Sequence, residues 1–487
     1  MSKAKQAVID KENKAEHHLY VKFSREKQGE KFTSFRVAST LDSLKQNPAE
    51  TETKDESDDE TNDQDKIVSG FGELCSKFID RFEADLSRYH HLISIITLIG
   101  GSMAAGGLEG QVLPEAKKHG VQIEGDELSE IYGLSDNGFE SVIKQVHRLN
   151  EINAGLAALP SSLLLSLVAT FDSLTGDFIN EILRSEPTKV KFSDKTITYR
   201  ELFQSNDVSK ILNDAIENEV NQLLRGSHQD QLEYIEKLIE TQIVGKYDRL
   251  PNYLEIFERR NQFAHAAGIV TDRYIEKCKS FKSPVDGLNV GENFNLGPKY
   301  LHRAVDYLSE FGIMFAFMAW RKLDKKSPQP FTKLNQVCFD LISKRRYRLA
   351  IHLLDFALHK QSCNADDITK RMMQVNLANS HARSGKADMA QKTLDELDWS
   401  ACSDDFKICV AAVKGDVDQV CKILPRAAAS NAISKSALRT WPVFDNVNDT
   451  KEFAAAFEET FLEPYQVELV SGNTLEPVEI ANDDRPD

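Results

Sequence analysis

The stretch Tyr253-Leu-Glu-Ile-Phe-Glu-Arg-Arg-Asn-Gln-Phe-Ala-His-Ala-Ala-Gly-Ile-Val-Thr-Asp-Arg-Tyr274 is the part of this chain from which the rest is best read. Leu254, Phe257 and Asn261 recur at three- and four-residue steps, and no Gly intervenes before Gly268. That spacing predicts a helix, with Pro251 in its first turn. Asn261 and His265 then stand one turn apart on a shared face. Arg260 and His265 diverge by roughly 140° at 3.6 residues per turn, a gap that a long Arg stem can close. Arg260, Asn261 and His265 can therefore line one polar notch. The same spacing also fits an ordinary ion pair beside a histidine with no special role.

A notch of this kind suits phosphodiester chemistry. A histidine side chain titrates near neutrality and can take a proton from a ribose 2′-hydroxyl. An arginine can hold phosphate oxygens in two parallel bonds and neutralise the charge that develops there. An amide can orient either one. The reaction needs no metal or other cofactor, and none is expected. The phrase Glu258-Arg-Arg-Asn-Gln-Phe-Ala-His265, followed by Gly268-Ile-Val and Arg273-Tyr274, resembles the signature helix of HEPN domains, the "higher eukaryotes and prokaryotes nucleotide-binding" family. Arg260, Asn261 and His265 match its Arg, polar and His places. The resemblance implies a helical bundle, a metal-independent RNase activity, and a homodimer in which two motifs meet. It also implies a role in bacterial toxin or anti-phage defence systems. Two positions depart from the pattern. Ala266 stands where Asn often follows the His. Ala267 replaces a Tyr that antitoxins modify in some members, which argues against that mode of control.

Around this centre, 487 residues leave room for two or three domains. The formal net charge of −16 is the wrong sign for broad electrostatic gripping of nucleic acid. Half of that excess is local, since Glu50–Asp65 carries nine acidic residues against Lys54 alone. Such a run reads as a solvated linker or as a mimic of nucleic-acid charge. Seven scattered cysteines without a Cys-x-x-Cys pair predict a reduced, cytoplasmic protein with no zinc site. The apolar run Leu92–Ala105 is too short for a membrane span, so no membrane association is expected.

The expected fold class is all-α, with five segments. Residues 1–66 form a largely disordered acidic segment, within which Leu19–Phe23 and Phe32–Val37 pair as a short hairpin. Residues 67–155 are helical, with an apolar stripe at Phe71, Cys75, Phe78 and Phe82 and a break at Gly100–Gly107. Residues 156–325 form the HEPN-like domain, whose first helix, Leu163–Leu183, is capped by Ser161 or Ser162. Asp172 interrupts the apolar side of that helix. It can orient His265, pair with Arg260, or simply face solvent. Alternating residues in Lys189–Tyr199 suggest an extended loop or hairpin, and Tyr307, Phe311 and Phe315 form a stripe that suits the core or a dimer seam.

Ser327–Pro330 marks a boundary, and 327–461 reads as tetratricopeptide-like helical repeats with a closing stretch. Ala350 and Leu354 recur as Ala390 and Leu394, then as Val420 and Leu424, with Gly385 and Gly415 in matching turns. Residues 462–487 are a tail. Two functions follow. One is an endoribonuclease acting on single-stranded RNA through Arg260, Asn261 and His265, with Asp172 in support and a protein or peptide partner on the repeats. The other is a non-catalytic dimeric scaffold or sensor that binds a partner through the repeats. No nucleotide-binding loop with its Lys, no Gly-x-Ser-x-Gly and no His-Glu-x-x-His is present.

Overall fold

The computed structural model describes residues 20–25, 32–38, 70–125, 130–190, 208–243, 245–285, 287–325, 327–360 and 363–465. The acidic run, most of the 189–199 segment and nearly all of the 462–487 tail lie outside them. The fold is all-α. Among the described residues the strands form two antiparallel hairpins, β1 (Tyr20–Arg25) with β2 (Phe32–Ala38) and β3 (Gly120–Gly125) with β4 (Glu130–Leu134). The first of these is the hairpin read from the sequence.

Two compact units divide the chain. One comprises the described parts of 68–338 and 352–369, the other 339–351 with the described parts of 1–67 and 370–476. The first is built on α1 (Gly70–Gly107), α2 (Leu113–His119), α3 (Asp136–Ser185), α4 (Val208–Arg225), α5 (His228–Leu238), α6 (Leu250–His265), α7 (Asp272–Ser280) and α8 (Pro298–Leu323). Its core is aromatic. Phe78 of α1 lies 4.7 Å from Phe178 of α3, Phe178 lies 4.9 Å from Phe315 of α8, and Tyr253 of α6 stacks on Phe311 at 4.2 Å. The Tyr307, Phe311 and Phe315 stripe is buried, which makes it core and not a seam. Gly312 lets α1 approach α8, because a Cβ there would sit 2.3 Å from the Phe82 ring.

Four sequence expectations are corrected here. No boundary falls at 155/156, because α3 runs unbroken from a Ser135 cap through Pro160 to Ser185. Ser161 and Ser162 do not cap a helix, since both hydroxyls donate back to the Ala158 carbonyl, at 2.8 and 3.1 Å. Phe78 and Phe82 bury against α3, so 67–155 shares one core with the segment that follows. The glycines at 100–107 do not end α1, whose backbone stays helical to Gly107 and then passes into a wider turn at Leu108–Val112. The boundary at 327 is displaced as well. α9 (Gln329–Ser343) starts in the first unit, where Phe331 packs edge-on against Phe317 at 5.2 Å and Lys333 pairs with Asp80 at 2.7 Å.

The second unit takes in the end of α9 and most of α10 (Tyr347–Asp355). It continues with α11 (Asp367–Arg383), α12 (Ala387–Leu394), α13 (Asp404–Val413), α14 (Val417–Ala429), α15 (Lys435–Thr440) and α16 (Lys451–Phe461). Three of its helices close in the same way. Arg345, Gly385 and Gly415 take left-handed conformations, with φ of 58°, 76° and 67°. The next amide in each case reaches back five residues, Arg346 to Leu341, Lys386 to His381 and Asp416 to Ala411, at 2.8–3.0 Å. Five residues beyond each turn stands Ala350, Ala390 or Val420, and all three are buried. Phe444, Phe453 and Phe457 are fully buried under this array.

Candidate active site

α6 is held by its apolar face. Tyr253, Leu254, Ile256 and Phe257 are buried, and Phe257 lies 6.0 Å from Phe171 of α3. Fixing that face fixes the opposite one. Arg260 and Asn261 are half-buried, and His265 stands exposed as the last residue of the helix.

The helix end is locked by the residues that follow the motif. Ala267 and Gly268 are both left-handed, with φ of 51° and 75°, and the Gly268 amide donates to the Gln262 carbonyl at 3.1 Å. Only glycine fits at 268, because a Cβ there would meet the Phe263 ring at 2.5 Å. Gln262 is itself buried, and its side-chain oxygen accepts from the Thr271 hydroxyl at 2.9 Å. Thr271 also caps α7. The chain then pairs with a distant loop, Val270 donating to Glu292 at 2.8 Å and Phe294 to Gly268 at 2.9 Å.

Asp172 comes in from α3. Its Oδ2 lies 3.5 Å from Arg260 Nη2 and its Oδ1 lies 2.9 Å from His228 Nε2. Of the roles open to this carboxylate, it takes the Arg260 pairing, and its second oxygen goes to His228 and not to His265. His228 opens α5 behind a Ser227–Asp230 capping box, and its ring stacks on Phe257 with centroids 3.4 Å apart. Burial first, and then the Asp172 carboxylate, push the Tyr253 hydroxyl well above the usual tyrosine range, so that hydroxyl stays protonated. Arg260 Nε is buried without a hydrogen-bond partner among the described residues, and the 3.5 Å approach to Asp172 is a loose one. Nε therefore has no acceptor among the described residues, and the Asp172 pairing holds Nη2 only loosely.

One turn earlier the same helix carries a rigid anchor. The buried Glu255 accepts from Arg259 Nε at 2.6 Å, Tyr274 at 2.5 Å and Tyr300 at 2.9 Å. The Arg259 guanidinium lies 4.1 Å over the Tyr300 ring. Burial, followed by the Glu255 charge, raises both tyrosine hydroxyls, which keeps them protonated as donors. This cluster ties α6 to α7 and α8, and with them the register of Arg260 and His265.

The motif residues were findable because their spacing is local. His228 was not, because it meets Asp172 across 56 residues. The only sequence signal near it is the Ser227 cap, which marks a helix start and says nothing of its neighbours. Chemically, the site offers an exposed imidazole, a half-buried guanidinium, and a carboxylate that steadies the guanidinium from behind. No protein-family model, no curated protein and no solved structure matches the chain.

Proposed function

We propose that the chain is a metal-independent endoribonuclease of the HEPN type that cleaves single-stranded RNA as a homodimer, in bacterial toxin or anti-phage defence. The observation that carries this reading is the placing of Arg260 and His265 on one rigid helix, with Asp172 behind Arg260 and the imidazole open to solvent. His265 takes the 2′-hydroxyl proton as that oxygen attacks the phosphorus. The P–O5′ bond breaks, and the leaving oxygen receives a proton from the imidazole of the second copy. Arg260 holds the phosphate oxygens as charge accumulates on them, and Asn261 orients the imidazole or the phosphate. The products are a 2′,3′-cyclic phosphate and a free 5′-hydroxyl. The second unit would hold the protein or peptide that restrains or triggers the nuclease.

Cleavage of a single-stranded RNA in EDTA tests this. His265→Ala should lower the rate by about a hundredfold to ten-thousandfold, the usual range for a lost general base, with the fold and the dimer intact. If the wild-type chain cleaves no RNA under any trigger, the nuclease reading fails and the scaffold reading stands.

A further inference from the structure

We propose that the middle of the helical hairpin formed by α1 and α3 is embedded in a lipid bilayer. The inference is independent of the nuclease reading. The two helices run antiparallel, as Phe78 against Phe178 and Tyr89 against Ser166 and Thr170 require. The chain carries no Asp, Glu, Lys or Arg from Leu92 to Leu108, one residue past the end of α1, and α3 carries none from Ile152 to Phe171. These runs are 17 and 20 residues long, about 25 and 30 Å of helix, against a hydrocarbon core of about 30 Å. Leu92–Ala105 alone is too short to span, but in the fold a second charge-free run lies alongside it.

Ile93 and, at the end of the α3 run, Leu164, Leu167, Val168 and Phe171 are buried, but the rest of the two runs is not core. By length and composition α3 could cross a membrane, yet only 22% of its apolar window is buried. On α1, Leu92, Ile95, Leu98 and Ile99 are exposed, Leu98 at 66%, and Leu159 of α3 is exposed too. A helix that faces water keeps charge on its outer side, whereas one that is apolar all round belongs in a core or in lipid. Four hydroxyls here bond within their own helices, and those of Ser166 and Thr170 meet the Tyr89 hydroxyl across the hairpin. Ser94 donates to the His90 carbonyl at 2.9 Å and Thr97 to Ile93 at 2.8 Å, while Ser161 and Ser162 donate to Ala158. That is the arrangement hydrocarbon demands of a hydroxyl. Gly100, Gly101 and Gly155, together with Pro160 in mid-helix, also suit a bilayer better than an exposed helix in water.

Charge returns at both ends. Beyond the runs, 109–151 holds nine acidic and four basic residues around α2 and the β3–β4 hairpin, and on the near side Asp85 and Arg88 follow the buried Phe82. Extrapolating the antiparallel register sets Leu92 beside residue 164, so the band clear of charge on both helices is about 20 Å deep. The stems of Arg88 and Arg148 can extend it by snorkelling.

The test is flotation of the full chain with phosphatidylcholine vesicles, comparing wild type with the variant L98D/L159D. Both positions are exposed, so helix content by circular dichroism should not change. Wild type should float, and the variant should partition on the order of a hundredfold less per charge. As a second measurement, the emission of L98W in vesicles should be quenched by lipids brominated in mid-chain. A wild-type chain that stays at the bottom of the gradient overturns the proposal. So does a chain whose L98W is quenched only from the aqueous phase. If the same chain is a dimer in sedimentation and L98D/L159D makes it monomeric, a second copy covers the hairpin instead.

Discussion

The candidate site turns on how Asp172 shares its two oxygens between Arg260 and His228. A carboxylate in this place does not touch the reacting phosphate in the proposed reaction. Its work is to hold the guanidinium at the right height on α6, so it is a positioning residue. Asp172→Asn keeps the volume and one hydrogen bond to His228, yet removes the charge that draws Arg260 back. The expected outcome is a fall in kcat of about tenfold to a hundredfold with KM little changed, the mark of lost alignment and not of lost binding. Steady-state kinetics on a short RNA with a melting curve beside them measures it. A fall in kcat that vanishes once rates are corrected for the folded fraction given by the melting curve would mean that Asp172 only props the fold. At this scale the sequence was half legible. Arg260, Asn261 and His265 lie within six consecutive residues, so helical spacing alone brings them to one helix. Asp172 was legible as a carboxylate on an apolar face, but not which partner it would choose. His228 and Glu255 were hidden because Asp172, for the first, and Tyr274 and Tyr300, for the second, come from other elements.

Between residues and the whole lies the question of how each helix starts and stops. Pro160 reads as a breaker, and its neighbours Ser161 and Ser162 read as caps. α3 nevertheless continues, because those serine hydroxyls bond inward and the apolar residues on both sides keep one helical register. Local propensity lost to the register of the whole helix. The turns of the second unit were more legible. Gly385 and Gly415 announce left-handed closures, and the third member, Arg345, escapes notice because it is not glycine. An L-residue held at a φ of 58° is disfavoured, so Arg345→Gly should stabilise the unit by about 0.5–1 kcal/mol, read as a rise in denaturation midpoint. A drop would mean that the Arg345 side chain contributes more than its backbone costs. The start of α11 makes a second case. Asp366 accepts from the Thr369 amide and hydroxyl, each at 2.8 Å, and the amide holds its carboxyl below the usual range. Asp366→Ala should cost about 1 kcal/mol at neutral pH. Since the folded pKa is depressed, that contribution is full above the ordinary carboxylate pKa and lost as pH falls through the lower folded value. The gap in Tm between wild type and Asp366→Ala should therefore narrow below about pH 4. A gap that is constant with pH would mean that the carboxylate charge plays no part.

For the molecule as a whole, fold class was legible from helical periodicity, while the limits of its units were not. Composition placed boundaries at 155/156 and 327, but buried aromatic contacts across both positions overrule it. The proposed nuclease adds a demand that no single copy meets, namely two imidazoles, one to take the 2′-hydroxyl proton and one to supply the leaving oxygen. The exposed place of His265 at the end of α6 leaves it open to a second copy. If both copies must be intact, wild type and His265→Ala chains mixed through unfolding and refolding should behave as a dominant mixture. At equal amounts, a two-fold symmetric dimer retains activity in about a quarter of its pairs, whereas independent copies would retain about half. Titrating the variant against a fixed amount of total protein separates a squared dependence on the wild-type fraction from a linear one. A linear outcome would place the whole reaction within one chain, and the second proton would then have to come from a group such as solvent water and not from a partner's imidazole.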